Sequence, residues 1–173
     1  SPMKQGIEKI KFFVSDIDGV LTDGKVFYQG SSLQRFFCIK DGVAFRLLKI
    51  AGIKTVLVSG RKSKATAARF GELGLDFYYE GIDDKVSLMV KFLSENGVSW
   101  EEISYMGDDL PDLPVIQKSG ISFAPGDASE EVRRAADYVC AKNGGEGAFR
   151  EAAEFILKEQ KKWEETLRKF FSS

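Results

Sequence analysis

Short apolar runs alternate along the chain with longer stretches in which apolar residues recur at helical spacing. The apolar runs cover residues 10–15, 55–58, 77–79, 103–106, 121–124 and 138–140. The helical stretches lie near residues 42–51, 63–73, 84–96, 110–118 and 129–136. Strands that are mostly apolar and separated by helices are typical of a parallel sheet covered on both faces. With right-handed crossovers, this order predicts an α/β fold, a Rossmann-like three-layer sandwich with a central parallel sheet.

One segment after the first strand, residues 24–37, interrupts the alternation. It contains two runs of strand-forming residues, 26–28 and 33–37, joined by a turn-like Gln-Gly-Ser-Ser sequence at 29–32. Two such runs with a short polar turn between them are typical of a β-hairpin. We therefore predict a hairpin arm that follows strand 1 and does not belong to the main sheet.

The C-terminal part of the chain, about residues 147–171, places apolar residues at roughly helical spacing among lysines and glutamates. This pattern predicts one amphipathic helix. No internal repeat, low-complexity tract or linker divides the sequence. We expect a single domain over residues 4–173 that includes the hairpin arm and this helix.

The composition narrows the chemistry open to this chain. It contains no histidine, which excludes serine–histidine triads and histidine metal sites. Its net charge of -1 gives no general attraction to nucleic acid. No apolar run approaches the length of a membrane span and no signal-peptide pattern is present, so we expect a cytoplasmic protein with no membrane partner. Catalysis must then come from carboxylates, lysine, hydroxyls and a hard metal ion.

Two carboxylates, Asp16 and Asp18, follow the first predicted strand. At a strand end, residues at i and i+2 point to the same side and can share one metal ion or one substrate. In open α/β sheets, ligands bind beyond the carboxyl ends of the strands. An isolated Asp-x-Asp-Gly sequence also occurs in ordinary turns, so this motif gains meaning from the motifs after it.

Polar residues also follow the next three predicted strands. Ser59 and Gly60 come after the second strand, where a hydroxyl and backbone N–H groups can hold phosphate oxygens. Lys85 follows the third strand and can neutralise phosphate charge. Residues 107–112, Gly-Asp-Asp-Leu-Pro-Asp, follow the fourth strand with three carboxylates close together. Such a cluster at a strand end indicates a magnesium site.

This ordered set of Asp-x-Asp, Ser, Lys and Asp-Asp-x-x-Asp resembles the haloacid dehalogenase superfamily of phosphohydrolases. The resemblance implies that Asp16 attacks phosphorus and forms a phospho-aspartate intermediate. It implies that Asp18 protonates the leaving oxygen and later activates water. Ser59 and Lys85 would hold the phosphoryl oxygens.

The same resemblance implies a magnesium ion, Mg2+, bound by Asp16, the backbone carbonyl of Asp18 and Asp108. Asp109 or Asp112 would support these ligands through hydrogen bonds. The physical need for the ion is clear, because a carboxylate that attacks a phosphate dianion is repelled unless cations gather at the site.

A narrower resemblance comes from the arm and from two short motifs. The spacing of the main motifs leaves no room for a cap domain. Phe-Cys-Ile-Lys-Asp-Gly at 37–42 and Gly-Arg-Lys-Ser at 60–63 resemble the capless phosphatases that act on 3-deoxy-D-manno-octulosonate 8-phosphate, a precursor of bacterial lipopolysaccharide. These are tetramers whose arms reach into adjacent active sites. The resemblance thus implies a small phosphorylated sugar acid as substrate and a homotetramer.

The resemblance also implies a set of substrate contacts. Arginines would face the carboxylate or hydroxyls of the sugar, and the segment after the arm would form a wall of the site. The implied substrate-binding residues are Asp18, Phe37, Cys38, Ile39, Lys40, Asp41, Arg46, Gly60, Arg61, Arg69 and Lys85.

Three alternatives stay open at this point. Phosphatases for a nine-carbon sialic-type sugar 9-phosphate carry Glu where this chain has Arg61, but its Gly-Gly-Glu-Gly sequence around Glu146 matches theirs. A receiver-like signalling domain would place its phospho-acceptor after the third strand, where this chain has Glu80. A non-catalytic oligomerisation domain would not need every catalytic position to be filled.

Overall fold

A parallel sheet of six strands forms the centre of the protein, whose computed structural model describes residues 6–173. The strands are β1 (Phe12–Asp16), β2 (Phe27–Gln29), β3 (Ser32–Gln34), β4 (Lys54–Val58), β5 (Phe77–Tyr79), β6 (Ile103–Met106), β7 (Ile121–Ala124) and β8 (Tyr138–Val139). The sheet has the order β5-β4-β1-β6-β7-β8, while β2 and β3 pair with each other. The predicted α/β sandwich is confirmed.

Seven α-helices connect and cover these strands in the described part of the chain. They are α1 (Ile39–Ile50), α2 (Lys64–Glu72), α3 (Lys85–Asn96), α4 (Leu113–Lys118), α5 (Glu130–Ala135), α6 (Ala148–Glu159) and α7 (Trp163–Phe171). Side-chain caps set two of the starts: Ser63 accepts the backbone N–H of Thr66, and Asp84 accepts that of Ser87. Such caps satisfy N–H groups that have no partner inside the helix.

β1 supplies alternate side chains to cores on both faces of the sheet. Phe13 packs against Phe149 of α6, with 4.9 Å between ring centroids. Phe12 packs edge-on against Phe92 of α3 at 5.1 Å on the other face. Because successive side chains of a strand point to opposite faces, an apolar β1 has to be covered on both sides. This requirement produces the three layers.

The parallel register brings the carboxyl ends of the central strands level with one another. Asp16 lies beside Val58, the last residue of β4, and Ser15 lies beside Met106, the last residue of β6. The residues that follow each strand therefore leave the sheet at one edge.

The prediction of one C-terminal helix over residues 147–171 is wrong. The structure has two helices, α6 and α7, and Lys161 between them has a left-handed backbone with φ 59°. The N–H groups of Lys161 and Lys162 donate to the carbonyls of Lys158 and Leu157. This is the Schellman pattern that ends a helix, usually at glycine. Apolar spacing does not reveal the break because lysine occupies that position.

The predicted arm is present as the β2–β3 hairpin, with Gly30 at φ 63° in its turn. Its outer surface is apolar: 49% of Phe27, 60% of Tyr28 and 74% of Phe36 are exposed to solvent. Phe27 and Phe36 pack against each other, with ring centroids 5.8 Å apart. The arm thus presents a patch of aromatic side chains away from the core.

No segment of residues 6–173 forms a cap domain, as predicted. Only α2 and β5 separate Ser59 from Lys85, and only α3, a short 3-10 turn and β6 separate Lys85 from Asp108. Residues 4 and 5 of the expected domain lie outside the described residues, so the extent of the folding unit stays a prediction. The described chain has no helix that is both long and apolar enough to cross a membrane.

Substituting alanine for each of two glycines should change the stability of the fold in opposite directions. A Cβ at Gly120 would lie 2.5 Å from the backbone oxygen of Glu101, whereas a Cβ at Gly71, in α2, meets no atom within 4 Å. We expect Gly120→Ala to lower the free energy of unfolding by about 1–3 kcal/mol. We expect Gly71→Ala to raise it by up to about 1 kcal/mol. Urea unfolding of both variants checks this, and equal shifts would contradict the packing at Gly120.

Candidate active site

Four of the predicted catalytic and metal residues meet at the carboxyl edge of the sheet. Asp16 is the last residue of β1, Ser59 follows β4, Lys85 begins α3 after β5, and Asp108 follows β6. The Nζ atom of Lys85 lies 3.4 Å from Oδ1 of Asp16. The lysine side chain is only 10% exposed, so this cation is held against the carboxylate rather than in solvent.

Three carboxylates form a compact cluster at this edge. Ligand oxygens of Asp16, Asp108 and Asp112 all lie within 4.8 Å of one another. Gly19 makes the approach possible, because a Cβ there would lie 1.7 Å from Oδ2 of Asp108. Hard oxygen ligands from carboxylates suit Mg2+, so the residues present fit this ion. Asp112, the residue predicted as a possible support for the ligands, lies inside this cluster.

Three ionised carboxylates this close together in a buried site repel one another and are unfavourable without a cation. Burial first, and then the neighbouring carboxylates, raise the pKa of Asp16 to about 7 and that of Asp108 to about 8. Both shifts arise because like charges share a site of low dielectric constant. A divalent cation removes the cause, since it favours the ionised form of every carboxylate around it.

Asp112 connects the cluster to the lysine. Its Oδ1 accepts hydrogen bonds from Lys85 Nζ at 2.7 Å and from the Tyr105 hydroxyl at 2.5 Å. Its Oδ2 accepts the backbone N–H groups of Asp108 and Asp109 at 3.0 and 3.3 Å. Burial alone would lower the pKa of Lys85, but Asp16 and Asp112 raise it above its ordinary value. The lysine therefore stays cationic beside Asp16.

Asp109 has a different place from Asp112. Its side chain is at the surface, where Oδ1 accepts the backbone N–H of Leu110 at 2.8 Å and begins a 3-10 turn. Of the two supporting candidates, Asp112 alone is buried at the site, with 1% of the residue exposed.

Asp18 forms an ion pair that the sequence did not reveal. Nε of Arg35 donates to Oδ1 of Asp18 at 2.8 Å, and Nη2 donates to Oδ2 at 3.0 Å. The third nitrogen, Nη1, donates to Oγ1 of Thr66 at 3.0 Å. Arg61 approaches the same carboxylate, with its Nε 3.6 Å from Oδ2. Burial acts to lower the pKa of Arg35, but the bond to Asp18 raises it.

Arg35, Thr66 and Tyr105 are the site residues that sequence reasoning missed. Arg35 lies just after β3 of the arm, Thr66 lies in the first turn of α2, and Tyr105 lies inside β6. None belongs to a motif that follows a strand, and no spacing in the sequence points to them. Tyr105 reads as one more apolar core residue, and only the structure shows its hydroxyl bound to Asp112.

Ser59 and Gly60 occupy the loop predicted for phosphate contacts. Ser59 is buried, and its Oγ accepts the backbone N–H of Arg61 at 3.1 Å. Backbone hydrogen bonds from Ser59 to Tyr79 and from Ile82 to Ser59 hold the loop against the strand beside it. The loop is thereby fixed next to Asp18 and its arginines.

The segment expected to form a wall has mixed surroundings. Phe37 packs edge-on against Phe70, Cys38 is the N-cap of α1, and Ile39 is 78% exposed. Lys40 lies in a separate surface groove of about 320 Å³ beside α6. Asp41 is buried, and its Oδ1 accepts the backbone N–H of Arg150 at 3.1 Å. Asp41 thus connects α1 to α6, and the contact of the segment with substrate stays a prediction.

Arg46 and Arg69 lie apart from the carboxylate cluster. Both line a groove of about 340 Å³ between α1, α2 and α7. The Arg46 guanidinium lies 4.6 Å from the ring centroid of Phe170. Among the contacts of residues 6–173, none joins either arginine to Asp16. Their role in substrate binding stays a prediction.

Comparison with known proteins agrees with this geometry. Residues 79–151 match the family model of haloacid dehalogenase-like hydrolases. The 3-deoxy-D-manno-octulosonate 8-phosphate phosphatase KdsC of Haemophilus influenzae is 38% identical over 92% of this chain and 89% of its own length. KdsC of Escherichia coli K12 is 35% identical over 91% of this chain and 85% of its own length.

Solved structures agree as well. The phosphatase of the same name from Moraxella catarrhalis, in complex with magnesium, phosphate and a KDO molecule, has a TM-score of 0.91 at 34% identity, with 96% of each chain covered. The cobalt-bound form from Haemophilus influenzae has a TM-score of 0.87 at 38% identity, with 92% of this chain and 94% of the other covered. This chain is therefore a phosphatase that belongs to the 3-deoxy-D-manno-octulosonate 8-phosphate phosphatase family of haloacid dehalogenase-like hydrolases.

Proposed function

We propose that this protein hydrolyses 3-deoxy-D-manno-octulosonate 8-phosphate to the free sugar acid and phosphate with the help of Mg2+. The observation that carries the chemistry is the position of Asp16 between a buried lysine at 3.4 Å and two further carboxylates within 4.8 Å. A nucleophilic carboxylate needs cations beside it, and this arrangement both supplies one and can bind another. The curated relatives named above support the eight-carbon substrate.

The first half of the reaction transfers the phosphoryl group to the protein. A carboxylate oxygen of Asp16 forms a bond to phosphorus while the bond between phosphorus and O8 of the sugar breaks. Asp18 donates a proton to O8, which leaves as a hydroxyl. Lys85 offsets the charge on the phosphoryl oxygens, and the Ser59 loop holds them. Splitting the hydrolysis at a covalent intermediate replaces one difficult step with two easier ones.

The second half returns the protein to its starting state. Asp18, now a carboxylate, takes a proton from a water molecule whose oxygen attacks phosphorus. The bond between phosphorus and Asp16 breaks, and phosphate is released. One residue serves both halves because its proton moves in opposite directions in the two steps.

Asp16, Asp108 and the backbone carbonyl of Asp18 are the groups that would hold the ion. Asp112 would support them, because its two oxygens already accept hydrogen bonds from Lys85, Tyr105 and the N–H groups of Asp108 and Asp109. When bound, Mg2+ supplies positive charge that offsets the negative charge of the phosphoryl oxygens. Lys85 cannot do this alone, because its single charge is already shared between Asp16 at 3.4 Å and Asp112 at 2.7 Å.

A nine-carbon sugar-acid 9-phosphate is the second candidate substrate, because of Glu146. This residue is exposed in a loop whose Gly145 donates its N–H to the carbonyl of Val20, in the segment after β1. Glu146 thus lies on the segment that packs against the active-site loop. Comparing kcat/KM for the two sugar-acid phosphates distinguishes the candidates, and Arg61 together with the relatives favours the eight-carbon acid.

We expect Asp16→Asn to lower kcat by roughly 10³-fold or more, because an amide cannot form the acyl phosphate. The variant should keep its thermal midpoint, since the amide fills the same volume. Phosphate release from the sugar-acid phosphate measures the effect. Asp84→Asn is a matched control, because Asn caps α3 as well as Asp does. Comparable activity of Asp16→Asn and wild type would remove Asp16 as the nucleophile.

The stabilisation by Mg2+ should increase with pH. The pKa values of Asp16 and Asp108, about 7 and 8 without metal, lie above their ordinary value of 3.8. Their protonated forms stabilise the metal-free fold at low pH, and this contribution is lost as the pH rises through 7 and 8. Metal binding needs the ionised forms. The thermal midpoint with Mg2+ minus that with chelator should be larger at pH 8 than at pH 6, by about 2–4 °C.

Asp108→Asn removes one of the two groups and should reduce this pH dependence. A difference between the Mg2+ and chelator midpoints that is independent of pH in wild type would contradict the assignment of these carboxylates to the metal.

The homotetramer, with the arms covering neighbouring sites, belongs to the same proposal. Exposed aromatic residues on the arm support it, since a patch of this kind usually marks an interface. The double variant Phe27→Ser, Phe36→Ser should dissociate the assembly and keep kcat for a small generic phosphate ester within about twofold, because Asp16 and Asp108 belong to one chain. Light scattering after gel filtration measures the mass. Val90→Ser, at an exposed site on α3, is the control, and a monomeric wild type would disprove the proposal.

A further inference from the structure

The ion pair between Arg35 and Asp18 is a strong interaction in the resting enzyme. Two parallel hydrogen bonds, at 2.8 and 3.0 Å, join the guanidinium to both oxygens of the carboxylate. The Arg35 side chain is 2% exposed, and Asp18 is 25% exposed. Bidentate, charge-assisted pairs of this kind are the strongest side-chain hydrogen bonds in proteins.

Hydrogen bonds to neighbouring residues hold the Arg35 side chain in place in the wall of the site. Nη1 donates to Thr66, and the Thr66 hydroxyl donates to Oγ of Ser63 at 3.1 Å. The backbone N–H of Ser63 donates to Glu80, which also accepts the hydroxyl of Tyr78. This series of hydrogen bonds runs from the N-terminus of α2 to the residue after β5, so the guanidinium is anchored on the side away from Asp18.

The same pair conflicts with the role of Asp18 in turnover. In the resting arrangement both of its oxygens face the guanidinium, and Arg61 approaches Oδ2 as well. The Asp18 carboxylate is also outside the cluster formed by Asp16, Asp108 and Asp112. To protonate the leaving oxygen and then face a water molecule, Asp18 has to give up its bonds to Arg35, take up a proton from solvent and turn toward the reacting groups.

Releasing Asp18 without replacement would leave a buried guanidinium unpaired, which is unfavourable. A second carboxylate removes this penalty, because it offers Arg35 the same planar pair of acceptors. A sugar acid carries such a carboxylate, whereas a neutral sugar phosphate offers only hydroxyls beside its phosphate. We propose that Arg35 selects phosphorylated sugar acids by exchanging Asp18 for the substrate carboxylate, which frees Asp18 to act.

The substrate in this inference is the one given by the proposed function. The new element is that Arg35 selects that substrate. It makes a prediction that a simple binding arginine does not make. Removing Arg35 should weaken the action on a sugar-acid phosphate and strengthen the action on a neutral one. The neutral ester has no group that releases Asp18, so the wild-type enzyme hydrolyses it only through the fraction of molecules in which Asp18 is already free.

The experiment compares Arg35→Met and wild type on 3-deoxy-D-manno-octulosonate 8-phosphate and on glucose 6-phosphate, both phosphorylated on a primary hydroxyl. We expect kcat/KM for the sugar-acid phosphate to fall by roughly tenfold or more, mainly through KM. We expect kcat/KM for glucose 6-phosphate to rise by roughly tenfold. Arg134→Met, which removes an exposed arginine on α5, should change neither value.

Two milder variants keep the test valid if Arg35→Met folds poorly. Thr66→Val removes the anchor of Arg35 without touching Asp18, and it should shift both substrates in the same directions by about two- to fivefold. Its control is Thr166→Val, an equally buried threonine in α7 far along the chain. Arg35→Lys keeps the charge but loses the paired geometry, so it should fall between wild type and Arg35→Met.

Parallel losses on both substrates would overturn the inference, since they would mean that Arg35 binds the phosphoryl group common to the two. Unchanged values for both would overturn it as well. If wild type does not act on the octulosonate phosphate, the proposed function fails, and the rise on glucose 6-phosphate still decides whether Arg35 restrains Asp18.

Discussion

The structure depends on the electrostatic balance between a group of buried carboxylates and the few cations that face them. Asp16, Asp108 and Asp112 lie within 4.8 Å of one another, and the lysine at 3.4 Å from Asp16 cannot neutralise all three. Without a metal ion, the excess negative charge raises the pKa values of Asp16 and Asp108, so that they stay protonated to higher pH. A bound divalent ion would offset the same charge. A site that resists its own ionised form in this way favours the binding of a divalent cation.

The fold makes that concentration of charge possible. β1 is covered on both faces by aromatic and aliphatic side chains, and it ends in Asp16 with a neighbouring strand on each side. A carboxylate at the end of an edge strand would be hydrated and would have an ordinary pKa. Gly19 completes the arrangement, because any side chain there would occupy the space of the Asp108 carboxylate. The end of β1 and Gly19 therefore serve both the packing of the fold and the geometry of the site.

The sequence predicted those parts of the protein that follow from periodicity and from motifs at strand ends. The six strands of the main sheet, the hairpin arm and the meeting of Asp16, Ser59, Lys85 and Asp108 all follow from patterns of this kind. The apolar pattern does not predict the helix break at Lys161, because a Schellman motif depends on a left-handed backbone conformation. Glycine at that position would indicate such a conformation in the sequence, but lysine does not. The sequence does not predict Arg35, Thr66 and Tyr105 as site residues for another reason. Each lies in an element that carries no recognisable motif, and only the folded structure brings it to the site.

The arm brings an active-site arginine and an exposed aromatic patch close together. Arg35 lies at the base of the arm, one residue after β3, and its guanidinium bonds to Asp18 of its own chain. The exposed aromatic residues lie near Arg35: Phe36 directly follows it in the chain, and Phe27 pairs with Gln34 at the same end of the hairpin. The aromatic patch proposed to bind a neighbouring subunit therefore adjoins the residue that holds Asp18, so the proposed assembly and the proposed release of Asp18 depend on the same short segment of the chain.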